Sequence, residues 1–155
     1  MKVILVCESV SHGNTQRVAE AMSEVLGGRV VAPGAIDAAE LADCDLVGFG
    51  SGIFTMDFHP ELRRFIASLP PRQRGRAFVF RTSGFAEPPF RRYVSTLTRD
   101  LEDKGFEVVG GFGCRGYDTW LPLRLVGGIR KGHPDATDLT AAREFAETLR
   151  TQLTT

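Results

Sequence analysis

Hydroxyl side chains cluster around one glycine in residues 8–15, which read Glu-Ser-Val-Ser-His-Gly-Asn-Thr and directly follow an apolar run. Hydroxyls and backbone N–H groups at the start of a helix can hold a phosphate group without a metal. No Gly-Lys-Ser/Thr sequence follows, so the lysine of a nucleoside-triphosphate loop is missing. The segment therefore predicts a site for a phosphate monoester. An ordinary helix cap with polar neighbours is the alternative, and the segment alone does not decide between them.

Two further segments place glycine and an aromatic residue where an apolar run ends. They are residues 51–59, Ser-Gly-Ile-Phe-Thr-Met-Asp-Phe-His, and residues 81–87, Arg-Thr-Ser-Gly-Phe-Ala-Glu. Phe54 or Phe58 could face Phe85 across a slot, which a flat heteroaromatic ring would fill by stacking. The alternative for each of these phenylalanines is a place in the hydrophobic core.

The elements that must position these segments follow from the alternation of apolar runs with segments of helical period. Strands are predicted at residues 3–7, 29–32, 45–50, 77–80 and 106–112, and helices at 14–26, 60–69, 89–104 and 137–153. Such alternation predicts βαβ units, hence an α/β fold with a doubly wound parallel sheet and helices on both faces. Ligands of such sheets bind outside the carboxyl ends of the strands, where all three segments are expected to lie.

Composition indicates a single globular domain spanning residues 1–155, with 43% apolar and 25% charged residues. Nineteen basic residues balance nineteen acidic ones, so we expect neither a nucleic-acid partner nor a membrane partner. Three widely spaced cysteines, Cys7, Cys44 and Cys114, indicate free thiols in a reducing compartment. The short apolar stretch at the start reaches Glu8 too early for a signal peptide. These features together predict a cytoplasmic protein.

The chain resembles the flavodoxin family over nearly its whole length. The resemblance rests on a strand, a Ser-x-Ser-x-Gly-Asn-Thr loop, a helix, and Gly-Ser-Gly-Ile-Phe after the third strand. Ser-Gly-Ile and Phe-His-Pro within residues 51–60 are similar to a broad group of flavodoxin-like proteins. The resemblance implies a five-stranded parallel sheet with strand order 2-1-3-4-5 and non-covalently bound FMN at the strand ends.

The resemblance also implies which residues contact the cofactor. The FMN phosphate would be held by residues of the first loop, namely Ser9, Ser11, His12, Gly13, Asn14 and Thr15. The isoalloxazine ring would be flanked by residues of the other two loops, namely Ser51, Gly52, Ile53, Phe54, Thr82, Ser83, Gly84 and Phe85. One departure is Val10, which stands at the family's usual first hydroxyl position, so that the phosphate loop is one residue longer.

Residues 114–136 form a connection that is too long for an ordinary loop and too apolar for disorder. We expect this segment to fold back over the flavin, with Tyr117 or Trp120 near the ring. Burial in a dimer interface is the alternative. Residues 111–116 match the dinucleotide-binding pattern G-x-G-x-x-G, but residues 117–122 do not open the helix that this pattern requires.

The expected function is that of an FMN-binding electron-transfer protein, a monomer or weak homodimer that shuttles electrons between redox partner proteins, a reductase and an acceptor. No catalytic side chain and no metal site is predicted. An FMN-dependent NAD(P)H:quinone-type reductase on the same fold is the alternative, favoured by the neutral charge and the basic residues of 114–136. A relative that lost FMN would not be expected to keep Gly13-Asn14-Thr15. A low-molecular-weight phosphatase is excluded, because its arginine position holds Gly13, and Cys7 is predicted to be a buried strand residue.

Overall fold

A computed structural model describes residues 1–8, 14–54, 57–82, 92–113, 116–118 and 136–154. In chain order the elements are β1 (Val3–Glu8), α1 (Asn14–Leu26), β2 (Arg29–Val31), α2 (Ala38–Ala42), β3 (Leu46–Phe54), β4 (Asp57–Phe58), α3 (Pro60–Ser68), β5 (Arg76–Thr82), α4 (Arg92–Asp103), β6 (Glu107–Gly113), β7 (Gly116–Asp118) and α5 (Ala136–Thr154).

The sheet confirms the predicted strand order and adds two short strands to it. Five parallel strands lie in the order β2-β1-β3-β5-β6, which is the predicted order 2-1-3-4-5. Two short strands extend this five-stranded parallel sheet: β4 pairs antiparallel with β3, and β7 pairs antiparallel with β6. The strands β4 and β7 consist of two and three residues without an apolar run, so they leave no pattern in the sequence. The five-residue helix α2 was missed because it is too short to show a helical period.

Helices cover both faces of the sheet, as predicted. Successive side chains of a strand point to opposite faces, so the apolar runs of the central strands supply two cores. One core joins the sheet to α1 and α5 and includes Leu5, Met22, Phe78, Phe80, Phe112 and Phe145. The other joins it to α3 and α4 and includes Val6, Phe49, Leu62, Ile66, Val79 and Leu97. Among the described helices, none combines the length and apolar character that crossing a membrane requires.

Two glycines of β3 make room for two phenylalanine rings of β5. Gly48 pairs with Phe78 and Gly50 with Phe80 across the two neighbouring strands. A Cβ atom added at residue 48 would lie 2.6 Å from Cζ of Phe78, and one added at residue 50 would lie 2.2 Å from Cε2 of Phe80. The aromatic layer beneath the carboxyl edge of the sheet therefore depends on glycine at both positions.

Candidate functional site

The carboxyl ends of β1, β3, β5 and β6 form one edge of the sheet, where polar residues replace the apolar ones of the core. The strand register aligns Glu8 with Ser51, Ser51 with Arg81, and Arg81 with Gly113. This row lies on the face of α3 and α4, directly after the buried strand residues. On the opposite face Thr82, the last residue of β5, points towards α1. The edge therefore has the polar character that the sequence predicts for a ligand site.

A pair of hydroxyl groups joins the start of α1 to the end of β5. The Oγ1 atoms of Thr15 and Thr82 are 2.7 Å apart, although the residues are 67 positions apart in the chain. Thr15 is only 2% exposed and lies in the first turn of its helix. Either hydroxyl can be the donor of this bond, so Thr82 can donate to Thr15 and leave the Thr15 proton for another acceptor. An uncharged hydroxyl at a helix N-terminus suits a phosphate group, and the phosphate-binding role of Thr15 stays a prediction.

A buried serine fixes the hairpin formed by β3 and β4. The Ser51 hydroxyl donates to the carbonyl oxygen of Gly52 at 2.7 Å and accepts from the backbone N–H of His59 at 3.0 Å. His59 then caps α3, because its Nδ1 atom accepts from the backbone N–H of Glu61 at 3.0 Å. These bonds tie the end of β3 to the start of α3 and fix the shape of the edge beside β5.

Two further contacts hold the same hairpin against the core and α3. A carboxylate oxygen of Asp57 accepts from Nη1 of Arg63 in α3 at 2.7 Å. Ile53 packs against the core on the α3 side, and Phe58 is fully buried within that core. Phe58 therefore does not face Phe85 across a slot for a flat ring. The alternative prediction for Phe58, a place in the hydrophobic core, is confirmed.

Arg81 is the residue of this edge that the sequence analysis did not single out. It is 1% exposed, although arginine is almost never fully buried unless its charge is compensated. The guanidinium group lies against Gly113, where an added Cβ atom would be 2.9 Å from Cζ of Arg81. Position 81 shares its strand face with Ala77 and Val79, and both are buried. This spacing of two is the signal in the sequence that predicts an inward-pointing side chain.

The predicted site residues that are described lie together at the carboxyl edge. They are Thr15, Ser51, Gly52, Ile53 and Thr82, with the backbones of Asn14 and Phe54. Ser9, Ser11, His12, Gly13, Ser83, Gly84, Phe85 and Trp120 lie outside the described residues. Tyr117 lies in β7, opposite Phe112, and its side chain is likewise outside the description. A role of the 114–136 segment over a flavin stays a prediction, while residues 116–118 form a strand and not the helix of a dinucleotide site.

The two described cysteines are buried thiols. Burial raises the pKa of Cys7 in β1 to about 12, with smaller contributions from Glu8 and Glu20. Burial also raises the pKa of Cys44, whose Sγ donates to the carbonyl oxygen of Glu40. A protonated thiol is a poor nucleophile, so Cys7 fits the predicted strand position and not a phosphatase site. No group of three possible metal ligands occurs among the residues that the structure describes.

The raised pKa of Cys7 makes the stability of the protein dependent on pH in the alkaline range. Between pH 9 and about 12 the thiol ionises in the unfolded chain but stays protonated in the folded one. The unfolded state then binds fewer protons, so the free energy of unfolding falls as the pH rises, by at most about 1.4 kcal/mol per pH unit for this group. Urea unfolding of the wild type and of Cys7→Ala at pH 8, 9.5 and 10.5 measures the difference in slope. Equal slopes would contradict the prediction.

The family model that matches the chain describes a flavodoxin domain and covers residues 5–115. The protein belongs to the flavodoxin family. An uncharacterized protein of Methanocaldococcus jannaschii is 32% identical over 151 residues, which cover 96% of this chain and 98% of that protein. Membership of the flavodoxin family supports a flavin-binding function in electron transfer or as a flavin oxidoreductase.

Solved flavodoxin structures share the fold from end to end. A flavodoxin from the domain Archaea superposes with a TM-score of 0.72 at 17% identity and covers 100% of both chains. An NADH:FMN oxidoreductase in its apo form superposes with a TM-score of 0.67 at 14% identity, covering 97% of this chain and 89% of the other. At these identities the superpositions show the fold alone. Flavin binding, typically of FMN, is the property that this fold implies, and the uncharged hydroxyl pair of Thr15 and Thr82 fits such a cofactor.

Proposed function

We propose that this flavodoxin-family protein binds FMN at the carboxyl edge of the sheet and carries electrons between redox partner proteins. The observation that supports FMN is the buried hydroxyl of Thr15, in the first turn of α1 and 2.7 Å from the hydroxyl of Thr82. The donors of a helix N-terminus and a buried hydroxyl select a terminal phosphate group. Riboflavin lacks that phosphate, and the phosphates of FAD are not terminal.

Each described residue of the edge would have a distinct part in holding the cofactor. Thr15 would donate to the phosphate, while Thr82 orients the Thr15 hydroxyl by donating to it. Ser51 would keep the β3–β4 hairpin in place beside the ring, since both of its hydrogen bonds are to backbone groups of that hairpin and its exit. When bound, FMN would supply the redox chemistry, and the protein would position the ring and limit the access of water.

A carrier is favoured over an enzyme because the sequence contains no recognisable nicotinamide site beyond scattered arginines, and residues 116–118 form a strand and not the helix of a dinucleotide site. An FMN-dependent NAD(P)H:quinone-type reductase is the second candidate. The NADH:FMN oxidoreductase among the similar folds and the formal net charge of zero favour it, because a neutral protein is poorly steered towards a charged reductase.

Binding and turnover assays on the purified protein test both parts of the proposal. Titration with FMN, FAD and riboflavin, followed by the quenching of flavin fluorescence, should give the tightest binding for FMN. Equal affinity for riboflavin would contradict the phosphate site. The FMN-loaded protein should then pass electrons from a flavodoxin reductase to an acceptor protein but should not oxidise NADPH with a quinone on its own. Tens of NADPH turnovers per second, an ordinary enzymatic rate, would favour the reductase.

A further inference from the structure

Arg81 is a buried charge at the edge where the cofactor is proposed to bind. Its side chain is 1% exposed and belongs to a strand whose preceding four residues, 77–80, are all buried and apolar. Removing a cation from water is costly, and Arg81 has an interaction partner in the structure, so burial holds the guanidinium group in place without leaving it unpaired. Arginine keeps its charge throughout the pH range in which proteins fold.

The position of Arg81 in the fold is fixed on two sides. On one side it is registered with Ser51 of β3, and on the other its guanidinium group lies against Gly113 of β6. The next residue, Thr82, carries the hydroxyl that contacts Thr15. The backbone of Arg81 therefore lies one residue before Thr82 of the proposed phosphate site, at the start of the loop that leads to residues 83–85, the predicted ring contacts, while its side chain is on the opposite face of the sheet from that of Thr82.

We propose that Arg81 is a fixed positive charge that sets the reduction potential of the bound flavin. This inference rests on the proposed function. Complete reduction by an external donor adds two electrons, and one proton from water, to the ring, which then carries one negative charge. A cation near the ring stabilises that charge and does not act on the neutral oxidised ring to the same extent. Arg81 would thus raise the potential of the step that makes the ring anionic.

Glu8 is a neighbouring acid whose negative charge acts on the flavin potential in the opposite sense to Arg81. Glu8 lies in the same row as Arg81, two strands away, at a backbone separation of about 10 Å. A unit charge within about 10 Å of the ring changes an equilibrium by on the order of tenfold at an effective dielectric constant of about 20. The comparison of variants at position 81 leaves Glu8 unchanged and isolates the contribution of the guanidinium group.

Spectroscopic redox titration of the FMN-loaded protein with dithionite and reference dyes tests the inference. In Arg81→Met the potential of the one-electron step that makes the ring anionic should fall by about 59 mV, which corresponds to about tenfold weaker binding of the fully reduced flavin relative to the form that precedes this step. Arg81→Lys keeps the charge and should retain most of the potential. The matched control is Arg76→Met at the other end of β5, where an exposed arginine pairs with Glu107 at 3.0 Å. This control should leave the potential unchanged.

The other outcomes of these titrations distinguish a failure of the Arg81 inference from a failure of the proposed function. An unchanged potential in Arg81→Met, or an equal shift in Arg76→Met, would overturn the role of Arg81. The proposed function is judged separately, by whether the wild type binds FMN. Weaker binding of FMN with unchanged binding of riboflavin would assign Arg81 to the phosphate and overturn the inference. If Arg81→Met does not fold, Arg81→Gln replaces it, because glutamine removes the charge but keeps a polar side chain at this buried position. A shifted potential in that variant supports the inference, and an unchanged one overturns it.

Discussion

Thr15→Val is expected to weaken the binding of FMN by about 1–3 kcal/mol, a factor of roughly 5–150 in Kd. Valine has nearly the shape of threonine but leaves a phosphate oxygen without its donor. The buried position of Thr15 prevents water from replacing the lost hydroxyl. The binding of riboflavin should not change, because riboflavin has no phosphate. Fluorescence titration of the apoprotein with both flavins measures the two affinities.

Variants of the same hydroxyl pair provide the controls for this prediction. Thr15→Ser keeps a hydroxyl and should bind FMN within a few fold of the wild type. Thr82→Val keeps the Thr15 donor but removes the group that orients it at 2.7 Å, so we expect a smaller loss than in Thr15→Val. Equal losses of FMN and riboflavin affinity in Thr15→Val would mean that Thr15 supports the loop and does not bind the phosphate.

The sequence predicted the parts of the fold that depend on long periodic segments. The five parallel strands each contain at least two consecutive apolar residues, and the helices α1, α3 and α5 each show one apolar stripe. The predicted helix at 60–69 nearly coincides with α3, because Pro60 and Pro70 mark its two ends. The strands β4 and β7 could not be predicted in this way, because antiparallel pairing over two or three residues leaves no periodic signal.

The placement of the candidate site residues at one edge was predictable as far as sheet topology determines it. Parallel strands bring their carboxyl ends to one edge, so Thr15, Ser51 and Thr82 were expected to be neighbours. Their individual hydrogen bonds were not predictable, since Ser51 contacts the backbone and not a ligand-facing group, and Thr15 contacts a residue 67 positions away. The burial of Arg81 was missed because arginine at a strand end is most often exposed.

The close approach of Gly50 to the Phe80 ring predicts that Gly50→Ala lowers the free energy of unfolding of the wild type but raises that of a variant without the ring. In the wild type, Gly50→Ala should destabilise the protein by about 1–3 kcal/mol, because the new Cβ would lie 2.2 Å from the Phe80 ring in a packed core. Phe80→Ala should cost about 3–5 kcal/mol through the cavity it leaves. With the ring removed, Gly50→Ala should instead stabilise the protein, because the methyl group fills part of that cavity and restricts the unfolded chain.

Urea unfolding of the two single variants and the double variant measures this coupling directly. The double variant Gly50→Ala/Phe80→Ala should be more stable than Phe80→Ala alone, although the first substitution destabilises the wild type. Gly110→Ala is the matched control, because a Cβ atom there would meet Phe145 at 3.4 Å, an ordinary contact. That control should change the free energy of unfolding little in either background. Simple additivity at Gly50 and Phe80 would mean that the ring moves aside at little cost, and that glycine at position 50 serves the carboxyl edge in another way.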